Sequence, residues 1–176
     1  MKTYTGAGRA AVVAAAAVVA MLAVVPDASA GTGWGKPIEA VASPGKCLDV
    51  RNGSLDNGTS VEIWDCTGGW NQKWDVDFPD GRIKVSGTSK CLDLPAGNSY
   101  NGAKLEIWDC NGGSNQQWNV SLRQFGRDNT DYWMSNRSDQ GERRCADKTD
   151  GGSWNGNPVQ VWDCDNNNLN QGWRIR

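Results

Sequence analysis

Apolar and polar positions alternate in two short stretches that recur three times along the chain. In residues 46–50 (K-C-L-D-V), Leu48 and Val50 fall on one side, and Cys47 and Asp49 on the other. In residues 61–66 (V-E-I-W-D-C), Val61 and Ile63 share one side, and Glu62, Trp64 and Cys66 the other. A period of two predicts β-strands with one buried face. An Asn57-Gly58 pair lies between them, a strong hairpin signal because type I′ turns need positive φ twice. The same arrangement returns at Lys90 to Trp118 and at Arg144 to Trp173. Each first cysteine precedes its Asn-Gly by 10 residues, its W-D-C tryptophan by 17 and its second cysteine by 19. Such a recurrence means one structural unit used three times.

Between the units, residues 75–89 hold a turn at Pro79-Asp80-Gly81 and a short strand at Ile83 and Val85. Residues 119–143 hold a second strand at Tyr132-Trp133-Met134. Ile38 and Val41 start a first strand. No stretch has the period of a helix of useful length, so the domain is expected to be all-β. The W-D dipeptides and the 44-residue step from Cys47 to Cys91 resemble propeller blades. Three units are too few for a propeller, however, and the Gly-His element of such blades is missing from a chain without histidine.

Residues 1–30 stand apart from this pattern. Lys2 and Arg9 precede an apolar run over 10–25, and Ala28-Ser29-Ala30 supplies a small-residue cleavage site. This is the pattern of a secretory signal peptide, and the run is short for a membrane span. The domain is therefore expected over 31–176, with repeats at about 38–84, 85–134 and 135–176. Leaving out Lys2, Arg9 and Asp27 takes the 18 basic residues to 16 and the 20 acidic to 19, a net charge of −3. A mildly acidic chain without a basic cluster argues against nucleic acid. No second apolar run is long enough to span a membrane.

Six cysteines in a secreted chain read as disulfides, and six allow 15 pairings on paper. The repeat narrows them. Cys47–Cys66, Cys91–Cys110 and Cys145–Cys164 keep every bridge inside its unit. Each would stabilise the fold by roughly 3 kcal/mol in the chain-entropy picture. Zinc is disfavoured by the lack of histidine and by the spacing. No metal or cofactor is expected.

The alternation places Asp49, Glu62 and Trp64 on the bridge side, away from Leu48, Val50, Val61 and Ile63. The same parity groups Asp93, Glu106 and Trp108, and Asp147, Gln160 and Trp162. Trp74, Trp118 and Trp173 are expected in the core, and Asp65, Asp109 and Asp163 as structural hydrogen-bonders. Trp70, Trp154 and Tyr100 fit either packing or ligand contact.

Three C-L-D or C-A-D starts, three Asn-Gly pairs and three Q-x-W endings (Gln72 to Trp74, Gln116 to Trp118, Gln171 to Trp173) resemble the ricin B-type lectin domain. Carbohydrate-binding modules of family 13 are similar. The resemblance implies a β-trefoil with three pseudo-symmetric four-stranded repeats and up to one shallow sugar site in each. It implies that the aspartate accepts sugar hydroxyls, the strand tryptophan stacks on the ring, an asparagine adds a hydroxyl contact and the glutamine supports the aspartate. The first site would then be Asp49, Glu62, Trp64, Asn71 and Gln72. The second would be Asp93, Glu106, Trp108, Asn115 and Gln116. The third would be Asp147, Gln160, Trp162, Asn170 and Gln171. Glu62 and Glu106 depart from the glutamine the family often has there. The third unit also carries Ala146, Lys148 and one extra residue before Trp173, which threatens the position of Asn170.

The expected function is a secreted, non-catalytic lectin for galactose-type or xylan-like glycans, acting as a monomer. A glycoside hydrolase or polysaccharide-degrading accessory protein is the alternative, with Asp49 and Glu62 as a formal acid pair. That pair is repeated, which suits binding better than one tuned acid and one base. A β-trefoil protease inhibitor is a further alternative; its mark would be a projecting loop, for which only 119–143 is long enough.

Overall fold

A computed structural model describes residue 1 and residues 33–77, 81–122, 131–136 and 143–176. The expected signal peptide, most of the Pro79–Gly81 turn and most of the 119–143 segment lie outside the described residues.

The described residues form thirteen strands joined by single-turn 3-10 helices. In chain order the strands are β1 Gly33–Lys36, β2 Ile38–Ala40, β3 Lys46–Val50, β4 Thr59–Asp65 and β5 Trp74–Asp77. β6 Arg82–Val85, β7 Lys90–Asp93, β8 Glu106–Asp109 and β9 Trp118–Leu122 follow. β10 Tyr132–Asn136, β11 Arg144–Lys148, β12 Asn157–Asp163 and β13 Trp173–Ile175 complete the set. β2–β5, β6–β9 and β10–β13 are three equivalent units of four strands. β6 thus opens the second unit and β10 the third, a few residues earlier than the sequence-based boundaries at 85 and 135.

Each unit is built on one antiparallel pair: β3–β4, β7–β8 and β11–β12. The three pairs join edge to edge. β4 pairs with β8, β12 pairs with β4, and Lys104 bridges to Gln160. The fourth strand of each unit pairs with the first strand of the next: β5 with β6, β9 with β10, and β13 with β2. The last of these closes the ring. This is a β-trefoil. β1 lies outside the threefold plan and adds to the edge of β5.

The alternation in the sequence maps directly onto the packing. Leu48, Val50, Val61 and Ile63 are fully buried, as are their counterparts Leu92, Leu94, Ile107, Val159 and Val161. Trp74, Trp118 and Trp173 are the largest buried side chains, one per unit. Each indole nitrogen donates to a backbone carbonyl 3.0 Å away, on Leu48, Leu92 and Ala146 respectively. A buried indole needs such a partner. Each Q-x-W tryptophan therefore fills the core and pins the strand carrying the aspartate. The three disulfides join Cys47–Cys66, Cys91–Cys110 and Cys145–Cys164, each bridging partners 19 residues apart.

The Asn-Gly pairs do not form type I′ turns. Gly58, Gly102 and Gly156 have positive φ, but the preceding asparagines do not. The i+3 amide instead bonds back over a turn with glycine third, as from Thr59 N to Asp56 O (3.2 Å). That is the type II pattern. The connection from β3 to β4 is also too long for a two-residue hairpin, and the asparagine side chain is used elsewhere. Asn57 Oδ1 accepts from Lys90 Nζ (2.6 Å) and Asp109 N (2.8 Å), and its Nδ2 donates to Asp109 Oδ2 (2.9 Å). Asn155 clasps Lys46 and Asp65 in the same way, and Asn101 clasps Asp163. Each turn therefore ties its own unit to the next around the ring.

Candidate functional site

In the β3–β4 register, Asp49 faces Glu62 and Cys47 faces Trp64. The pairs Asp93–Glu106 and Asp147–Gln160 repeat the first relation. The indoles of Trp64, Trp108 and Trp162 are 40, 41 and 43% exposed, alike in all three units. The acids lie deeper than the alternation alone implied. Asp49, Asp93 and Asp147 are 3–4% exposed, so they form the floor of each depression and the indole forms its wall. Pleating fixes the side to which a residue points. Depth comes from the 3-10 turn Trp70–Gln72 and the loop after β3, which fold over the carboxylate.

That turn supplies the carboxylate's partners. Asp49 Oδ2 accepts from Asn71 Nδ2 (2.9 Å) and Gln72 Nε2 (2.8 Å). Gln72 also donates to Asp65 O and accepts from Thr67 N, so it ties the cysteine loop to the aspartate. In the second unit, Asp93 Oδ2 accepts from Asn115 (2.8 Å) and Gln116 (2.7 Å). Both amides approach Oδ2. Among the described residues, Oδ1 of Asp49 and of Asp93 takes no side-chain or backbone donor. A depression of about 200 Å³ over the first site is lined by Asp49, Asn52, Glu62, Trp64, Thr67 and Asn71.

Burial raises the carboxyl pKa of Asp49 and Asp93, against the pull of the two amide bonds on each. Glu62 is raised by burial and by the Asp49 charge, and lowered by the Arg51 guanidinium 3.7 Å away. Glu106 is raised by burial and then by the Asp93 charge. In the second unit Pro95 stands where Arg51 stands in the first, so that position offers Glu106 no cation.

The third site is built differently. The amide reaching Asp147 Oδ2 belongs to Asn168 (3.1 Å), which corrects the expectation for Asn170. The extra residue in this segment shifts Asn170 towards Gly151, where a Cβ would lie 3.3 Å from its Nδ2. Gln160 Nε2 donates to Asp147 Oδ1 (3.1 Å), so both oxygens of this carboxylate have protein donors. Gln160 Oε1 in turn accepts from Lys104 Nζ (2.7 Å), which reaches in from the second unit. Gln171 donates to Asp163 O (2.8 Å). Lys148 takes the place of a core aliphatic. Its buried ammonium bonds Ser43 Oγ (2.5 Å) and Gly151 O (3.0 Å), and burial lowers its pKa.

Asp65 and Asp109 are surface residues whose pKa is lowered by bonds from Lys46 and Asn155, and from Lys90 and Asn57. Asp163 pairs with Arg144. These aspartates serve the clasps between units. The second site also takes a neighbour from the first unit. A Cβ on Gly58 would lie 3.8 Å from both Trp108 and Glu106. Gly156 borders Trp64 and Glu62 likewise, and Gly102 borders Trp162. The roles of Asn52, Thr67, Lys104 and Asn168 were not read from the sequence. The contact of Lys104 with Gln160 crosses between units, and no local pattern reports it.

A trefoil ring carrying an exposed indole beside a sunken carboxylate in each unit has the make-up of a carbohydrate-binding protein. The family model of the ricin-type beta-trefoil lectin domain matches residues 36–173, and the chain belongs to that family. Solved structures agree. The designed threefold-symmetric protein ThreeFoil is similar at 29% identity and a TM-score of 0.71, over 81% of this chain and 97% of that one. An exo-beta-1,3-galactanase from Clostridium thermocellum is similar at 28% identity and a TM-score of 0.70, over 81% of this chain but only 30% of the enzyme. The C-half of an earthworm R-type lectin, solved with GalNAc, shares the fold at 20% identity and a TM-score of 0.63, over 81% and 98% of the two chains. Among the described residues no helix is long and apolar enough to cross a membrane.

Proposed function

We propose that the protein is a secreted, non-catalytic lectin that binds neutral galactose-type or xylan-like glycans, chiefly through its first two sites. One observation carries this reading. In both sites an exposed indole stands beside a sunken aspartate whose Oδ2 is held by two amides and whose Oδ1 takes no donor among the described residues. A pyranose has a face of C–H groups and a rim of hydroxyls. The indole offers flat apolar area to the face. The carboxylate oxygen accepts hydroxyl protons in charge-assisted bonds. Asn71 and Asn115 complete the rim, since amides both donate and accept. Glu62 and Glu106 can only accept once ionised, so these sites select a sugar that presents a donor hydroxyl to them.

The third site is expected to bind more weakly. Asp147 already has donors on both oxygens, and Lys104 holds the Gln160 carbonyl. Catalysis is not supported. The acid pairs are repeated at equivalent positions, and neither copy is set apart as proton donor against base. Three disulfides suit an oxidising, extracellular setting.

Isothermal calorimetry on the Trp64→Ala/Trp108→Ala double variant tests the reading. Exposed indoles can be removed without collapsing the core, so the variant stays folded. Its affinity for xylan or galactan is expected to fall at least tenfold. Undiminished binding by a folded double variant would move the site elsewhere.

A further inference from the structure

Among the described residues β1 has no counterpart in the other two units, and it adds a tryptophan to the rim of the cleft beside the second unit's disulfide. β1 pairs with β5, and Asp75 Oδ1 accepts from Gly35 N (2.8 Å). This fixes Trp34 at the edge of the β5–β6 hairpin with its indole 57% exposed. Trp74, Val76, Ile83 and Val85 of that hairpin point into the core, so Asp75, Asp77, Arg82 and Lys84 lie on the opposite face. They meet as cross-strand pairs, Asp75 with Lys84 and Asp77 with Arg82. Together with Trp34 and the Cys91–Cys110 bridge they line a cleft of about 320 Å³. That volume exceeds the 200 Å³ over the first site and reaches the range of small-ligand pockets.

The two other junctions are different. At the junction of the third and first units, Glu39 holds the position of Lys84. It accepts from Gly45 N (2.7 Å) and Arg176 Nε (2.6 Å), and these bonds tie that face to itself. At the junction of the second and third, the hollow beside Cys164 is wider, about 750 Å³, and is lined by Trp133, Arg143, Arg144 and Asp163.

We infer that the Trp34 cleft is a fourth glycan-binding site, taking a neutral pyranose unit. The inference rests on the sugar-binding reading above. The cleft offers a flat apolar plate, acceptors on Asp75 and Asp77, and donors on Arg82 and Lys84. Its two acids and two bases balance, so a charged sugar gains nothing there. Cys91, which lines the cleft, lies directly across from Trp108 of the second site in the β7–β8 register. A glycan chain longer than one residue on Trp108 has this cleft as its neighbour.

Indole N–H signals in nitrogen-15 NMR report each tryptophan separately. The full chain would be titrated with xylohexaose and with a neutral galactose hexasaccharide. The Trp34 signal is expected to move with the hexasaccharide that moves Trp108. In a Trp64→Ala/Trp108→Ala/Trp162→Ala variant it should still move, and Trp34→Ala should then weaken the residual binding about tenfold. With the other tryptophans in place, Lys84→Met should shrink the Trp34 response while leaving that of Trp64 intact. A Trp34 signal that stays still while Trp64 and Trp108 respond overturns the fourth site and leaves the lectin reading standing. Silence from all four indoles brings down both.

Discussion

Asp93 and Glu106 face each other across the β7–β8 pair, Asp93 sunken and Glu106 half-buried beside Trp108. Burial raises both pKa values, and for Glu106 the neighbouring Asp93 charge adds to it. Two opposite consequences follow. A carboxyl whose folded pKa lies above its unfolded value holds its proton more tightly when folded. Its stabilising contribution is present below the unfolded pKa and is lost as pH rises through the folded one. At neutral pH these acids therefore cost stability, and Glu106→Gln is expected to melt at the same temperature or higher at pH 7, with the advantage shrinking as pH falls towards the ordinary glutamate value of 4.5. Binding runs the other way, because acceptance of hydroxyl protons is strongest from the ionised form. Affinity at the second site should fall as pH drops, starting above the ordinary glutamate value of 4.5. The first site should hold out to lower pH, since Arg51 opposes the rise at Glu62. Melting curves and calorimetry across pH 4–7 check both signs; a second site that binds equally well at pH 4 would contradict the assignment of its acids.

At the scale of the elements, the turn of one unit is the wall of the next unit's site. Asn57 belongs to the first unit, yet it bonds Lys90 and Asp109 of the second, and Gly58 beside it borders Trp108. Asn57→Ala removes three hydrogen bonds at an exposed position, which should cost about 1 kcal/mol of stability. Its functional effect should appear at Trp108 and not at Trp64, although Trp64 is in the same unit as the substitution. NMR titration of the two indoles separates these outcomes; loss at Trp64 instead would show that the units act alone. The elements themselves were legible in the sequence. Strict alternation around Leu48, Val50, Val61 and Ile63 was enough to place them, because a strand with one buried face has little choice of register. The turns were misread, because Asn-Gly looks the same whether the asparagine shapes the backbone or reaches across to another strand. Asn168 was missed for a related reason. An extra residue before Trp173 shows that something moved, but only packing decides which of several neighbouring asparagines reaches Asp147.

For the whole molecule, the three candidate sites lie in separate units around a pseudo-threefold axis. Linked sites gain from effective concentration only when one ligand can span them. A short soluble oligosaccharide is therefore expected to gain little over a monosaccharide at the first site. A glycan surface or branched polymer, which presents many chains at once, should be held at least a hundredfold more tightly than the monosaccharide. Calorimetry with monosaccharide set against retention on insoluble polymer measures the difference. Equal strength on both would mean that one site works alone. The ring was predictable from the repeat and its family resemblance. The Trp34 cleft was not, because β1 stands outside the repeat and carries no part of its pattern.

The pairing of β13 with β2, together with the bond from Arg176 N to Pro37 O (3.1 Å), brings the end of the domain to its beginning. A closed ring of equivalent units has no natural seam. Its chain can be rejoined at that meeting point and opened at another exposed turn, such as the one at Gly87, with every strand keeping its partners. Order along the gene and order around the axis are then separable. A unit can be shuffled, duplicated or replaced as a module, provided that its asparagine still finds the aspartate of whichever neighbour follows it.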